Sequence, residues 1–257
     1  MAIEFRENEV FEVGPGVWIR NMVDNAAWAD LGNGVAIIDS LDAADDGPME
    51  KQVPEDIQRT TGKPIKWLVY THCHPDHVGF NDAWRKLGAE VVVHESGKHE
   101  VQPDVTFQST HVVAGEGRQL ELEWLGGTHT QWDSVVYFPW AKVLHIADLF
   151  GWGMIPLSRY DQGKIDLLKE RLARVLEYDA DTYIVGHGPL AKPEHIRRWL
   201  TYLDDLLARA IPLAQAGKNL DEIEQAVPIP DDMMDWWKLG TWKHRHNLAL
   251  VAKQFGT

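Results

Sequence analysis

Residues 71–77 read THCHPDH, which puts three histidines and an aspartate into seven positions immediately after the apolar run IKWLVY. That run is short enough to be a buried strand, and NDAWRKLG beyond the motif, closed by Gly88, has the pattern of a short helix. The motif therefore falls in a strand-to-helix turn, where a loop can aim His72, His74, Asp76 and His77 at one point. Neutral imidazoles and carboxylates are the nitrogen and oxygen ligands that zinc, manganese or iron accept. The chain must accordingly build a fold around a polar, metal-binding turn.

The flanking sequence supplies an α/β frame. VWIRNMV, AAWAD and VAIID, with Gly32-Asn33-Gly34 between the last two, predict short strands and a hairpin. A polar helical stretch is expected around residues 48–60, and EVVVH as the strand after NDAWRKLG. From 105 to 146 the pattern is mostly β, with QLELEWL, SVVYFP and KVLHIA, the last running into Asp148. Ile165, Leu168, Leu172 and Val175 give helical spacing over 161–178, and TYIV is a strand that turns at Gly186-His187-Gly188. Everything beyond Pro193 reads as helix, punctuated by Pro212, Pro228 and Pro230. No repeat or linker interrupts the 257 residues, 44% of them hydrophobic, so one unit spanning 1–257 is expected, with a helical C-terminal extension over approximately 193–257.

The formal net charge of -14 disfavours nucleic acid, whose affinity comes from Lys and Arg neutralising phosphates, and disfavours an anionic membrane surface likewise. MAIEFRENEV shows no basic segment followed by an apolar stretch, and no later run approaches a bilayer span. A cytoplasmic protein acting on a small molecule is the expectation. The single cysteine, Cys73, cannot form an internal disulfide, and its place between two inward-facing neighbours turns it toward the core.

Other candidates join the motif. His129 follows Gly126-Gly127, Asp148 ends a strand, and His187 sits between two glycines after another strand. Strand ends are where α/β folds build their sites. Together these residues resemble the metallo-β-lactamase fold superfamily, whose hallmark is His-x-His-x-Asp-His: THCHPDH matches the hallmark, THT at 128–130 the third-histidine region, VLHIAD at 143–148 the strand ending in a metal-bridging aspartate, and VGHGP at 185–189 the final histidine turn. The resemblance implies a four-layer αββα sandwich, with the helices after 193 added to it, and a glyoxalase II-like metal site. It puts His72, His74 and His129 on one metal, Asp76, His77 and His187 on a second, and Asp148 between them. Asp39, at the end of VAIID, matches an acid that supports the histidine loop in such proteins, although an ordinary strand-end turn residue would look the same. Ala147 departs from the glycine many relatives carry before the bridging aspartate.

Two divalent ions, most simply zinc with manganese or iron as alternatives, lower the pKa of a bridging water toward about 7. The expected activity is therefore hydrolysis of an ester, lactone, thioester or phosphoester by a bridging hydroxide, with Asp76 moving a proton. An aspartate at 148 differs from the cysteine common in β-lactamases proper and turns the reading away from β-lactams. An iron oxidoreductase of the same fold, like a persulfide dioxygenase, is the competing reading, and a β-lactamase the remaining one. Phe150, Trp152 and Met154, in the Gly-rich stretch after Asp148, are the expected substrate contacts, ahead of Trp28, Trp236, Trp237 and Trp242, for all of which core packing is the alternative. WKHRHNLALVAKQF reads as an amphipathic helix that either covers a sheet or forms a homodimer interface.

Overall fold

The computed structural model describes residues 4–45 and 47–256. Two sheets form its middle. The first runs β1 (Glu9–Gly14), β2 (Val17–Asn21), β3 (Ala26–Asp30), β4 (Val35–Ile38), β5 (Ile65–Val69), β6 (Glu90–His94) and β7 (Val105–Phe107), hydrogen-bonded in sequence order. The second contains β8 (Thr110–Ala114), β9 (Gln119–Trp124), β10 (Ser134–Phe138), β11 (Val143–Ala147) and β12 (Thr182–Val185), in the spatial order β12-β11-β10-β9-β8.

Period-two alternation assigns each strand two jobs. In β4, Ala36 and Ile38 face the second sheet, while Val35 and Ile37 face outward under helix α1 (Met49–Thr61). In the opposite sheet Ile184 of β12 points into the space between the sheets, and Tyr183 and Val185 point away from it. The inner layer is thus filled by Val17, Ile19, Val69 and Val92 against Leu120, Leu122, Val136 and Phe138. Each such side chain contributes about 1.5–3 kcal/mol by leaving water. Outside the first sheet lie α1, a single helical turn α2 (Pro75–Val78) and α3 (Asn81–Lys86); outside the second lie α4 (Gln162–Val175), α5 (Pro193–Gln215), α6 (Leu220–Ala226) and α7 (His244–Phe255). The arrangement is the expected αββα layering.

Strand direction positions the site. β4 and β5 are parallel, as are β11 and β12, so within each pair the carboxyl ends emerge at the same edge. Asp39 follows β4, THCHPDH follows β5, Asp148 follows β11 and His187 follows β12. Backbone links tie the two sheets at that edge: Asn25 N–H donates to Gly186 O at 2.8 Å, and Ser134 N–H donates to Thr71 O at 2.9 Å.

Two details differ from the sequence expectation. Pro212 does not punctuate the last helices, because α5 runs through it into its final turn. The terminal amphipathic segment uses its apolar face inside the molecule: Leu248, Leu250 and Val251 of α7 are buried in the cluster that covers the second sheet.

Candidate metal centre

Three groups of ligand-type atoms converge at the shared edge. His72, His74, His129 and Asp148 offer one ligand atom each, all within 4.8 Å of one another; Asp76, His77 and His187 do the same, and so do Asp39, His72 and His77. The first two groups are linked through Asp148, whose Oδ2 lies 3.1 Å from His187 Nε2, 3.5 Å from His129 Nε2 and 3.7 Å from His72 Nε2, while its Oδ1 lies 3.8 Å from His77 Nε2. Asp76 Oδ2 lies 3.3 Å from His187 Nε2 and 3.7 Å from His77 Nε2.

The outer ring nitrogens explain why the inner ones point to the centre. His77 Nδ1 donates to Asp39 Oδ2 at 2.8 Å, His187 Nδ1 to Asp24 Oδ1 at 2.8 Å, and His129 Nδ1 to Pro156 O at 3.0 Å. Thr71 donates its hydroxyl to Asp39 Oδ2 at 2.7 Å, which leaves its oxygen to accept from His72 Nδ1 at 3.1 Å. With Nδ1 engaged outward in all four rings, each Nε2 points inward, where a ring that gives up its Nε2 proton can bind a metal. His74 enters by Nδ1 instead, 2.9 Å from His129 Nε2.

The fit of this donor set to metal shows in what it leaves unpaired. His72 Nε2, His77 Nε2 and Asp148 Oδ1 are buried with no hydrogen-bond partner. A buried polar atom without a partner costs about 1–3 kcal/mol, and three of them meeting in one place mark a position for cations. The electrostatics agree. Burial, with His77 and His129 nearby, holds His72 well below its ordinary value, so that ring is neutral. Burial also works against charge on His187, yet the carboxylates of Asp148 and Asp24 overcome it and hold its pKa well above normal. Burial raises Asp148, but His187 and His129 outweigh it and hold the carboxyl well below its usual range.

Several supporting residues carried no local signal in the sequence. Asp24 lies in the β2–β3 turn and meets His187 only through the fold. Asp133 fixes the His129 loop, accepting from His129 N at 2.9 Å, Thr130 N at 2.7 Å and the Thr128 hydroxyl at 3.0 Å. Gly186 is required sterically: a Cβ there would lie 2.0 Å from Asp148 Oδ1 and 2.9 Å from His77 Cε1. The sequence marked it only as the first glycine of a Gly-His-Gly turn. Asp39 accepts from Thr71 N at 2.8 Å in addition to the bonds above, so it holds both ends of the histidine motif.

A cavity of about 240 Å³ opens beside the centre, and Asp148, His187, Met154, Trp237, Trp242 and Lys243 contribute to its wall. Of the three expected substrate contacts only Met154 is there. Phe150 and Trp152 are 1% and 0% exposed and pack with Trp199 and Trp236 in the core over the second sheet; the chain folds inward after Asp148, Trp152 taking a φ of 53° that reverses its direction. Trp28 and Trp236 are likewise core residues, whereas Trp237 and Trp242 reach the cavity. Lys243, which the sequence did not single out, is buried in a π-helical turn, Leu239–Lys243, leading into α7. Burial and the like charge of Lys238 push its ammonium down to about 7.

The family model of the metallo-beta-lactamase superfamily matches residues 23–187 of the chain, from the β2–β3 turn to the last histidine of the candidate centre. The curated protein 2,4-dinitroanisole O-demethylase subunit alpha, of Nocardioides sp. (strain JS1661), is 25% identical over 196 residues, 67% of this chain and 56% of its own. The chain thus spans little more than half the length of that relative. Among solved structures, the metallo-beta-lactamase from Pontibacter korlensis is 26% identical with a TM-score of 0.63, covering 75% of this chain and 97% of its own. The sec-alkylsulfatase Pisa1 from Pseudomonas sp., at 18% identity, has the same fold, with a TM-score of 0.74 over 96% of this chain and 50% of its own.

Proposed function

Since the chain belongs to the metallo-β-lactamase superfamily, we propose that it is a dinuclear metal-dependent hydrolase of a small molecule, cleaving an ester, lactone, thioester or phosphoester bond. The observation that carries this reading is the convergence of His72, His77 and Asp148 on one point through buried atoms that have no partner. His72, His74 and His129 would hold one ion and Asp76, His77 and His187 the other, with the Asp148 carboxylate, which lies beside histidines of both sets, shared between them. Two divalent ions, zinc in the simplest case, would supply there a water acid enough to attack at neutral pH and positive charge for the oxygen of the reacting group.

The chain's own residues do the rest. Asp39, Asp24 and the carbonyl of Pro156 fix the tautomer and direction of three imidazoles. Asp76, with a side chain still 29% accessible, is the carboxylate placed to accept a proton and return it to a leaving group. Leu149, Phe150 and Trp152, which follow Asp148 in the chain, are buried and leave its backbone next to apolar side chains. No nucleophilic serine or cysteine is needed, and Cys73 is unsuited to the task because burial, with Glu100 nearby, raises its thiol pKa.

The curated relative's name favours a second reading, removal of a methyl group from an aryl ether, which the same centre and the indoles at the cavity would serve. The test is metal analysis of the purified protein beside a turnover panel of aryl esters, lactones, thioesters, phosphoesters, a β-lactam and 2,4-dinitroanisole. Two equivalents of zinc or manganese with turnover of an ester-type substrate are expected. Turnover of the anisole alone selects the second reading, and one redox-active iron with oxygen uptake and no hydrolysis overturns both.

A further inference from the structure

Lys243 is 3% exposed, and a lysine is almost never buried to that degree without an anionic partner. Here it has none. Among the described residues no carboxylate lies within ion-pair distance of Nζ, and its only hydrogen bond is to Gly151 O at 2.8 Å. An ammonium has three donors, so donor capacity is left over. Nζ lies 4.2 Å from the ring centre of Trp237 and 5.8 Å from that of Trp242, and indole faces offset part of the cost of holding a buried cation. All three residues line the same cavity as Asp148 and His187.

The apolar wall is built with equal specificity. Trp237 lies against Gly188, where a Cβ would come within 2.6 Å of its ring, so the residue following a metal-centre histidine is shaped to seat an indole. Trp242 is 45% exposed and Val23 43%, and both stand on the cavity. Large apolar side chains left in water at the rim of a cleft mark a ligand-contacting surface. Trp237, Trp242 and Lys243 all lie beyond residue 187, outside the span matched by the superfamily model, so this wall is an addition of the C-terminal segment to the common centre.

We propose that Lys243 and the indoles of Trp237 and Trp242 form a recognition subsite for a small anionic substrate, the lysine binding a carboxylate-type group and the indoles its apolar, ring-sized body. The cavity of about 240 Å³ admits a molecule of one or two rings. Nζ in its protonated form supplies the charge complement, and a carboxylate bound beside it favours that form and completes a pairing the protein leaves open. This names the substrate class for the hydrolase reading and rests on it only in placing the reactive bond at the metals.

The experiment uses the metal-loaded full chain and two unreactive probes of one shape, 2-naphthoate and 2-naphthamide, with binding followed by calorimetry and tryptophan fluorescence. The acid is expected to bind about 10- to 100-fold more tightly than the amide, the range of a charge-assisted hydrogen bond. Lys243→Met should bring the two within about twofold, Lys243→Arg should keep most of the preference, and Trp242→Ala should weaken both probes alike. Equal binding of acid and amide by the native protein overturns the proposal, as does a preference that survives Lys243→Met, which would place the carboxylate on the metals or on Lys238, the other lysine at the cavity. If Lys243→Met fails to fold, the native and Lys243→Arg measurements decide, since loss of the preference in the arginine variant also overturns it. A naphthoate preference without turnover of any panel substrate would sink the hydrolase reading and leave the subsite standing; turnover without the preference would do the reverse.

Discussion

Asp39 is satisfied by three donors, Thr71 N, Thr71 Oγ1 and His77 Nδ1, and a carboxylate can accept all three because both its oxygens are acceptors. An amide cannot. Asp39→Asn sets an NH2 group against one of those donors while tolerating the φ of 60° at this position, so metal affinity should fall about 10- to 100-fold, measured by competition with a chelating dye. Asp76→Asn removes the proposed proton carrier and should lower kcat by about 100-fold or more; full turnover with both metals bound would show the proton passes elsewhere. His145 offers a pH prediction. It is fully buried, Ala147 N–H donates to its Nδ1, and its Nε2 has no partner. Burial pushes its pKa down to about 4, so between pH 6.5 and 4 the unfolded chain binds a proton that the folded chain refuses. Stability from this residue is complete above about pH 6.5 and is lost by about 1.4 kcal/mol per unit down to about pH 4. Denaturation of the protein and of His145→Asn across that range should diverge with this slope, the variant being the flatter.

The elements that meet at the site end in backbone that favours glycine. β11 shifts register against β12 between His145 and Ala147, and Ala147 has a φ of 44°. That shift turns Asp148 into the centre, and an alanine holds the conformation at a cost of about 1 kcal/mol. Ala147→Gly should therefore leave stability unchanged or raise it by up to about 1 kcal/mol, because freedom gained by the unfolded chain offsets part of the relief; thermal denaturation at fixed metal concentration measures it. A clear loss would mean that the Ala147 methyl contributes more by packing than its conformation costs. The segment after β11 is held by α7: Asn247 accepts from Ile155 N at 2.8 Å and donates to Gly153 O at 2.7 Å. The last helix thus sets the shape of the loop beside the candidate centre, although it lies about a hundred residues later in sequence.

At the scale of the molecule, metal-free protein should remain folded. His187 and Asp148 pair at 3.1 Å, and most apolar burial lies in three clusters that do not depend on the centre. Exhaustive chelation is expected to lower the melting temperature by several degrees, because ions that bind only the native state stabilise it by RT ln(1 + [L]/Kd), and to leave the far-ultraviolet circular dichroism unchanged. Collapse of that spectrum would show the metals to be structural. Among the described residues no helix is long and apolar enough to cross a membrane.

The sequence by itself determined the layers and the ligand-type residues. Strand alternation, helical spacing and the Asn-Gly turn are local signals, and THCHPDH concentrates four site residues in one turn; the α/β sandwich, the positions of Asp148 and His187 at strand ends and the place of His129 after a Gly-Gly pair were legible from these and from the family pattern they matched, although His129 lies within the β9–β10 loop and not at a strand end. What supports and surrounds those residues was decided by tertiary structure alone. Asp24 reaches His187 across 163 positions, and Lys243 reaches the loop after Asp148 across 92; no pattern within a strand or helix encodes which distant side chain arrives at a given point. The same limit governs the aromatics. Phe150 and Trp152 stand next to a site residue in sequence and turn into the core, while Trp237 and Trp242 stand far from it in sequence and form the cavity wall. Hydrophobicity drives burial without regard to direction, and only the packing of α5 and α7 on the second sheet settled which indoles were enclosed and which remained available to a ligand.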